Sequence, residues 1–191
     1  MKKIHVFYLF CLFIGISCNK DEVSSQTKTI NLQIDGYNDN STKVFQSGFI
    51  KGESVAVTLG PVKNSYMVTQ VSFLFGGAAS TAKDVIVKIY TDLGDEVPGT
   101  ILYSSTFSVP SSDNVLYQID LSKQNIEVGA GSNIRVSLEA AGSGLPFIAI
   151  DNDGTISQTK NWVKTTGKWV SATSLSLKGD FIIRAKVEEK L

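Results

Sequence analysis

Apolar and polar positions alternate through most of this chain, most clearly from Asp84 to Val109. Val85, Val87 and Ile89 alternate with Ile86, Lys88 and Tyr90. Further on, Ile101, Tyr103, Ser105, Phe107 and Val109 alternate with Leu102, Ser104, Thr106 and Ser108. A period of two puts each set on one face of a sheet, so both segments are predicted strands. The serine- and threonine-rich set fits a strand with one face on a core and the other in water. Between them, Pro98-Gly99 predicts a tight turn, with Pro presetting φ at the second position and Gly tolerating positive φ at the third.

The same pattern recurs along the chain. Ile30, Leu32 and Ile34 alternate before a turn-rich stretch, and Val55, Val57 and Leu59 share a face until Gly60-Pro61. Val71, Phe73 and Phe75 share another within Tyr66 to Phe75, which ends at Gly76-Gly77. Val115, Tyr117, Ile119 and Leu121 are followed by a brief strand at Ile126 and Val128, and Ile134, Val136 and Leu138 alternate with Arg135, Ser137 and Glu139. Phe147 to Ile150 is a continuous apolar run, as in a strand buried on both faces. Trp162-Val163 and Trp169-Val170 flank Thr165-Thr166-Gly167-Lys168 and predict a hairpin, and Phe181, Ile183, Ala185 and Val187 form the last strand. No segment after the first 17 residues sustains a 3.6-residue apolar period. Nine or ten short strands with Gly- and Asn-rich breaks predict an all-β antiparallel β-sandwich, jelly-roll-like, with an immunoglobulin-like sandwich as the alternative.

The N-terminus follows different rules. Lys2 and Lys3 precede an apolar run from Val6 to Ile16 that is too short to span a membrane comfortably, so residues 1–17 read as an export signal. Gly15-Ile16-Ser17-Cys18 resembles the lipobox of bacterial lipoproteins, with Gly15 where Leu is usual, and the resemblance implies lipidation of Cys18. The next four residues, Asn19-Lys20-Asp21-Glu22, resemble the surface-export signal of lipoproteins in one group of Gram-negative bacteria. Residues 18–29 read as the lipidated cysteine and a flexible tether, and residues 30–191 as a single domain. The implied place is the outer membrane, lipid-anchored and facing the cell surface, with the anchor as the sole membrane contact.

Composition then removes whole classes of chemistry. The only cysteines are Cys11 and Cys18, so cleavage before Cys18 leaves no internal disulfide and the fold must rest on its core. The sole histidine, His5, leaves with the leader. Ser-His-Asp and Cys-His nucleophiles, and histidine-ligated metal centres, go with it. Losing Lys2 and Lys3 leaves 16 basic against 18 acidic residues, a net of −2, which gives no field to steer nucleic acid.

A resemblance rests on the Val71–Phe75 strand, the Val85–Tyr90 strand with its Asp92-Leu93-Gly94 turn and Pro98-Gly99, and the segment from Ile126 to Ala140. The late tryptophan segment and the closing Phe181–Val187 strand complete it. In this order they resemble the jelly-roll, adhesin-like modules of bacterial secreted and surface proteins. The resemblance implies a non-catalytic module for attachment or carbohydrate binding, and it carries over no site residue.

Candidate sites are few. Trp162 and Trp169 can form an aromatic platform on which a sugar stacks its C–H groups, with Tyr90 as a further contact; the alternative is that they plug the core. Lys160, Lys164 and Lys168 interleave with them, suiting an acidic glycan or simply forming a solvated face. Asp151-Asn152-Asp153-Gly154 resembles the start of a calcium loop, which makes Asp151 and Asp153 candidate ligands of a structural calcium. Asp92, Asp95 and Glu96 are a second such cluster, and an Asx-rich turn explains either one. Glu139 and Asp120 are the pair a glycosidase would need, although nothing around them points to a raised pKa. The sequence therefore predicts a displayed binding module without enzymatic activity or cofactor, for a glycan or an extracellular protein. The alternative is a structural accessory subunit of a cell-surface assembly.

Overall fold

The computed structural model describes residues 26–38, 42–76, 82–110, 112, 114–142 and 144–191. The expected leader, the lipidation site Cys18 and the export signal lie outside the described residues. Strands β1 (Thr27–Leu32), β2 (Lys43–Gln46), β3 (Ser54–Leu59), β4 (Tyr66–Phe73) and β5 (Phe75–Gly76) come first. Next come β6 (Lys83–Asp92), β7 (Ile101–Val109), β8 (Tyr117–Asp120), β9 (Ile126–Val128) and β10 (Asn133–Ala140). The last are β11 (Phe147–Asp151), β12 (Asn161–Thr165), β13 (Lys168–Ser171) and β14 (Ile183–Lys190), with a 3-10 turn at Ala172–Leu175 before β14. The first strand starts at Thr27, inside the stretch expected to be tether. β2 is additional to the strands expected.

All strand pairs are antiparallel. One sheet runs β1-β14-β4-β8, with β9 also on β4, and a second runs β13-β12-β3-β10-β6-β7. A three-stranded sheet, β2-β11-β5, continues the first where Leu74 interrupts β4 and β5; Leu74 N–H donates to Ile182 O and Ala149 N–H to Leu74 O. From β7 onward the chain crosses repeatedly between the layers. β8 and β9 lie in one, β10 in the other, β11 back in the first layer's extension, β12 and β13 across again, and β14 back. This interleaving and the absence of an α-helix among the described residues give the antiparallel β-sandwich that the alternation predicts.

The core lies between the two large sheets. Val55, Val57 and Leu59 of β3, Ile134, Val136 and Leu138 of β10, and Val85, Val87 and Ile89 of β6 face Val71 and Phe73 of β4 and Ile183, Ala185 and Val187 of β14. Each large apolar side chain among them, almost wholly removed from water, stabilises by about 1.5–3 kcal/mol. Phe73 tightens one end, with ring centroids 5.0 Å from Phe75 and 5.6 Å from Tyr117. β11 is doubly buried from Ile148 to Ile150, as its apolar run predicts, with Ile148 and Ile150 in the main core and Ala149 in a smaller cluster with Tyr37, Leu74 and Ile182. Phe147 instead is 45% exposed.

Two turns shape the outer face of the second sheet. The β12–β13 hairpin turns through Thr166 (φ 48°) and Gly167 (φ 81°), the two positive φ values of a tight primed turn. The β6–β7 connection differs from expectation. Gly99 is absent from the positive-φ residues, and the left-handed position is Gly94 (φ 86°). Gly99 is needed for close approach: its N–H donates to Thr91 O at 2.8 Å, and a Cβ there would lie 2.2 Å from Thr91 Oγ1.

Candidate binding face

The outer face of the second sheet carries every expected aromatic contact. On β3, β10 and β6, the residues that alternate with the core positions are Ser54, Ala56 and Thr58; Arg135, Ser137 and Glu139; and Lys88, Tyr90 and Asp92. Register puts Thr58, Arg135 and Tyr90 side by side. It also sets Trp162 opposite Ala56 and Ser171, and Lys164 opposite Ser54 and Trp169. Trp162, Lys164 and Trp169 therefore share a face, as the hairpin predicts.

Arg135 occupies the middle of this face and is 0% exposed. Its guanidinium carbon lies 4.1 Å from the Trp162 ring centroid and 5.6 Å from that of Trp169. Nε donates to Asp92 Oδ2 at 3.0 Å and Nη2 to Asp92 Oδ1 at 2.9 Å, a bidentate pair. Nη1 donates to Glu96 O at 3.1 Å, and Nη2 also reaches Asp95 O. Trp162 Nε1–H donates to Thr58 Oγ1 at 2.9 Å, and Thr58 Oγ1–H donates to Asp92 Oδ2, closing a loop of four residues. Four of the five guanidinium N–H groups have acceptors and the cation lies over an indole, so the buried charge is paired rather than stranded.

This geometry corrects several expectations. Trp162, only 4% exposed, supports Arg135 and cannot offer a ring to a ligand. Tyr90, 7% exposed, meets Trp169 edge-on at 6.5 Å, and burial, helped by the Glu139 charge and opposed by Arg135, pushes its phenol up to about 12. Lys164 is engaged: its Nζ lies 3.5 Å from Glu139 Oε2, which Lys88 Nζ approaches to 2.7 Å. Lys160 donates to Gly60 O at 3.3 Å, and of the three lysines only Lys168 lines the cleft beside Trp169. Trp169 alone of the expected aromatic contacts keeps a half-buried ring open to solvent. With Lys168, Val97, Glu96, Gly167 and Val170 it lines a cleft of about 320 Å³ between the hairpin and the β6–β7 connection.

The expected calcium ligands are tied up in backbone hydrogen bonds. Asp151 Oδ2 accepts from Gly36 N–H at 2.6 Å and Oδ1 from Asp180 N–H at 2.9 Å. Burial raises the Asp151 pKa, and those two hydrogen bonds oppose the rise. Asp153 Oδ1 accepts from the Thr155 N–H and hydroxyl, which holds its carboxyl below the usual range. Asp92 is the partner of Arg135, and Asp95 and Glu96 contribute carbonyls to it. Among the described residues, no group of three or more His, Cys, Asp or Glu side chains is placed to hold a metal ion. Glu139 and Asp120 stand on the outer faces of opposite sheets, so this pair cannot flank one bond.

Sequence reasoning missed Arg135, Thr58 and Asp92 as a unit. The available signal was an arginine within a strand whose other face carries Ile134, Val136 and Leu138, together with an aspartate at the end of β6.

Fold and face together define an antiparallel sandwich with a structured aromatic-cationic outer surface. Among solved structures the chain is similar to one described as the cysteine protease and lectin-like domains of Cwp84, a surface layer associated protein of Clostridium difficile. The likeness is 15% in sequence with a TM-score of 0.59, over 85% of this chain and 36% of that one. It is also similar to the clostridial cysteine protease Cwp84 after propeptide cleavage, at 15% identity and a TM-score of 0.55, over 86% of this chain and 40% of that one. The chain thus spans less than half the length of either. No family model and no curated protein matches its sequence.

Proposed function

We propose that this chain is a non-catalytic, surface-displayed lipoprotein module that binds carbohydrate in the cleft beside Trp169. The observation that carries the reading is the half-exposed Trp169 ring, held edge-on by Tyr90 at 6.5 Å above the buried Arg135 stack. A ring already packed on one edge has less rotational freedom to lose on binding, and an indole face takes the C–H groups of a pyranose well. Lys168 and Glu96 at the cleft rim supply a donor and an acceptor for hydroxyl groups. The lectin-like domain in the first neighbour's description is consistent with this use, and its surface-layer association with a place at the cell surface. Attachment through Cys18 to the outer membrane, facing outward, completes the reading, and neither metal nor cofactor enters it. Titrating a panel of oligosaccharides against tryptophan emission tests it: Trp169 should respond, and a Trp169→Ala variant should be silent.

The runner-up is an accessory subunit of a cell-surface assembly, favoured by one edge. β7 closes one side of the second sheet, pairs only with β6 among the described residues, and carries no charged residue from Ile101 to Val109. Uncharged edges accept added strands. A Ser104→Lys/Thr106→Lys variant would abolish such docking and leave glycan binding intact.

A further inference from the structure

The opposite side of the sandwich carries a second surface, independent of the Trp169 cleft. On the outer face of the first sheet, register aligns Asn31, Lys186, Gln70 and Asp120 across four strands, with Arg184, Ser72 and Gln118 in the adjacent row. Gln33 follows β1 beside Arg184. Strand spacing makes this array roughly 14 Å by 7 Å, the footprint of a short oligosaccharide. It opens into a trough of about 260 Å³.

The lining chemistry is specific. Asn31, Gln33, Gln70, Ser72 and Gln118 are neutral groups that both donate and accept; Arg184 and Lys186 are cations, and no acid lines the trough. Among the described residues, the side-chain amides of Asn31, Gln70 and Gln118 make no hydrogen bond, and Lys186 makes no ion pair. The two cations differ. Arg184 is fixed by Asp35, which takes both Nε and Nη2, and by Tyr37 O, so its charge is already balanced. Asp120, at the array's edge, turns to the Ser122 N–H at 2.9 Å, which keeps its carboxyl ionised below the usual range and occupied. The trough therefore offers a grid of amides around one uncompensated charge, Lys186. A polyhydroxylated ligand satisfies the amides, because each amide can donate to one hydroxyl and accept from its neighbour, and a carboxylate satisfies Lys186.

We propose that this trough is a second ligand site that takes an acidic oligosaccharide, with sugar hydroxyls on Asn31, Gln70 and Gln118 and a carboxylate on Lys186. It does not depend on the Trp169 cleft. The test is an NMR titration of the ¹⁵N-labelled protein with a panel of acidic trisaccharides, of galacturonic, glucuronic and sialic acid type, alongside their neutral counterparts. Side-chain NH₂ signals and the tryptophan Nε1–H signals report the two faces separately. The expected result is movement of the Asn31, Gln70 and Gln118 signals with at least one acidic trisaccharide. Binding should weaken tenfold or more in Lys186→Gln and in Gln70→Ala/Gln118→Ala, and stay unchanged in Trp169→Ala. The proposal is overturned if these amides stay still with every probe, or if they move equally with neutral and acidic sugars. Movement confined to Trp169 would also overturn it, while leaving the cleft reading in place.

Discussion

The guanidinium of Arg135 stacks 4.1 Å from the ring of Trp162, and both are closed off from water. A tryptophan that alternation places on an outer sheet face is thereby part of the framework. It packs on one side of Arg135, and Trp169 lies 5.6 Å from the same guanidinium. Truncating Trp162 to Ala should cost about 3–5 kcal/mol, since it removes a buried indole and uncovers a buried cation. Chemical denaturation should show the midpoint falling with little change in slope.

Asp92 and Arg135 should couple strongly. Removing either partner alone strands the other without water, which costs about 3–5 kcal/mol, whereas an apolar pair of similar volume is far less harmful. Asp92→Leu and Arg135→Met should each be severe, and the double variant milder than either. A double-mutant cycle by denaturation measures this; additive losses would mean that the pair is independent.

Much of the fold was legible because a half-buried strand writes its two faces into the sequence. β3 spans the predicted residues, and the partition of Val71, Phe73 and Phe75 toward the core holds even across the break at Leu74. β2 was not legible, since Lys43–Gln46 is four residues long and its apolar Val44 and Phe45 point to opposite faces. The site was legible only as a location. Alternation sends Arg135, Tyr90 and Trp162 outward, and outward normally means solvent. Here the β6–β7 connection folds back so that the Asp95 and Glu96 carbonyls reach Arg135, and the β12–β13 hairpin lays two indoles beside it. Both covers are tertiary, so no local pattern announces them.

Ser137 lies on the same face, fully buried, and its hydroxyl has no hydrogen-bond partner among the described residues. An unsatisfied buried polar group costs about 1–3 kcal/mol, so Ser137→Ala should be neutral or stabilising by about 1 kcal/mol. Thermal unfolding reads this directly, and a marked loss would mean that the hydroxyl has a partner in solution.

Two buried tyrosines should make the fold lose stability at alkaline pH. Burial pushes Tyr66 up to about 12, and Tyr90, through burial reinforced by Glu139, reaches about 12 as well, against 10.0 for the free phenol. The folded state favours the protonated forms, so their contribution is fully present below pH 10 and is lost as pH rises through 12. Tyr90→Phe should retain a larger share of its neutral-pH stability at about pH 11 than the parent does. Denaturation at both pH values, with tyrosinate absorbance followed in parallel, checks it.

The most direct test of the central claim is a glycan array probed with the parent chain and with Trp169→Ala. Trp169 is half-buried at a cleft rim and covers Arg135 from 5.6 Å without hydrogen-bonding to the Asp92 network, so its loss should lower the unfolding midpoint while unfolding stays cooperative. The account predicts that the parent binds a defined set of glycans and that Trp169→Ala, still folded, loses them. Equal binding by the two proteins, or no binding by a well-folded parent, would contradict it.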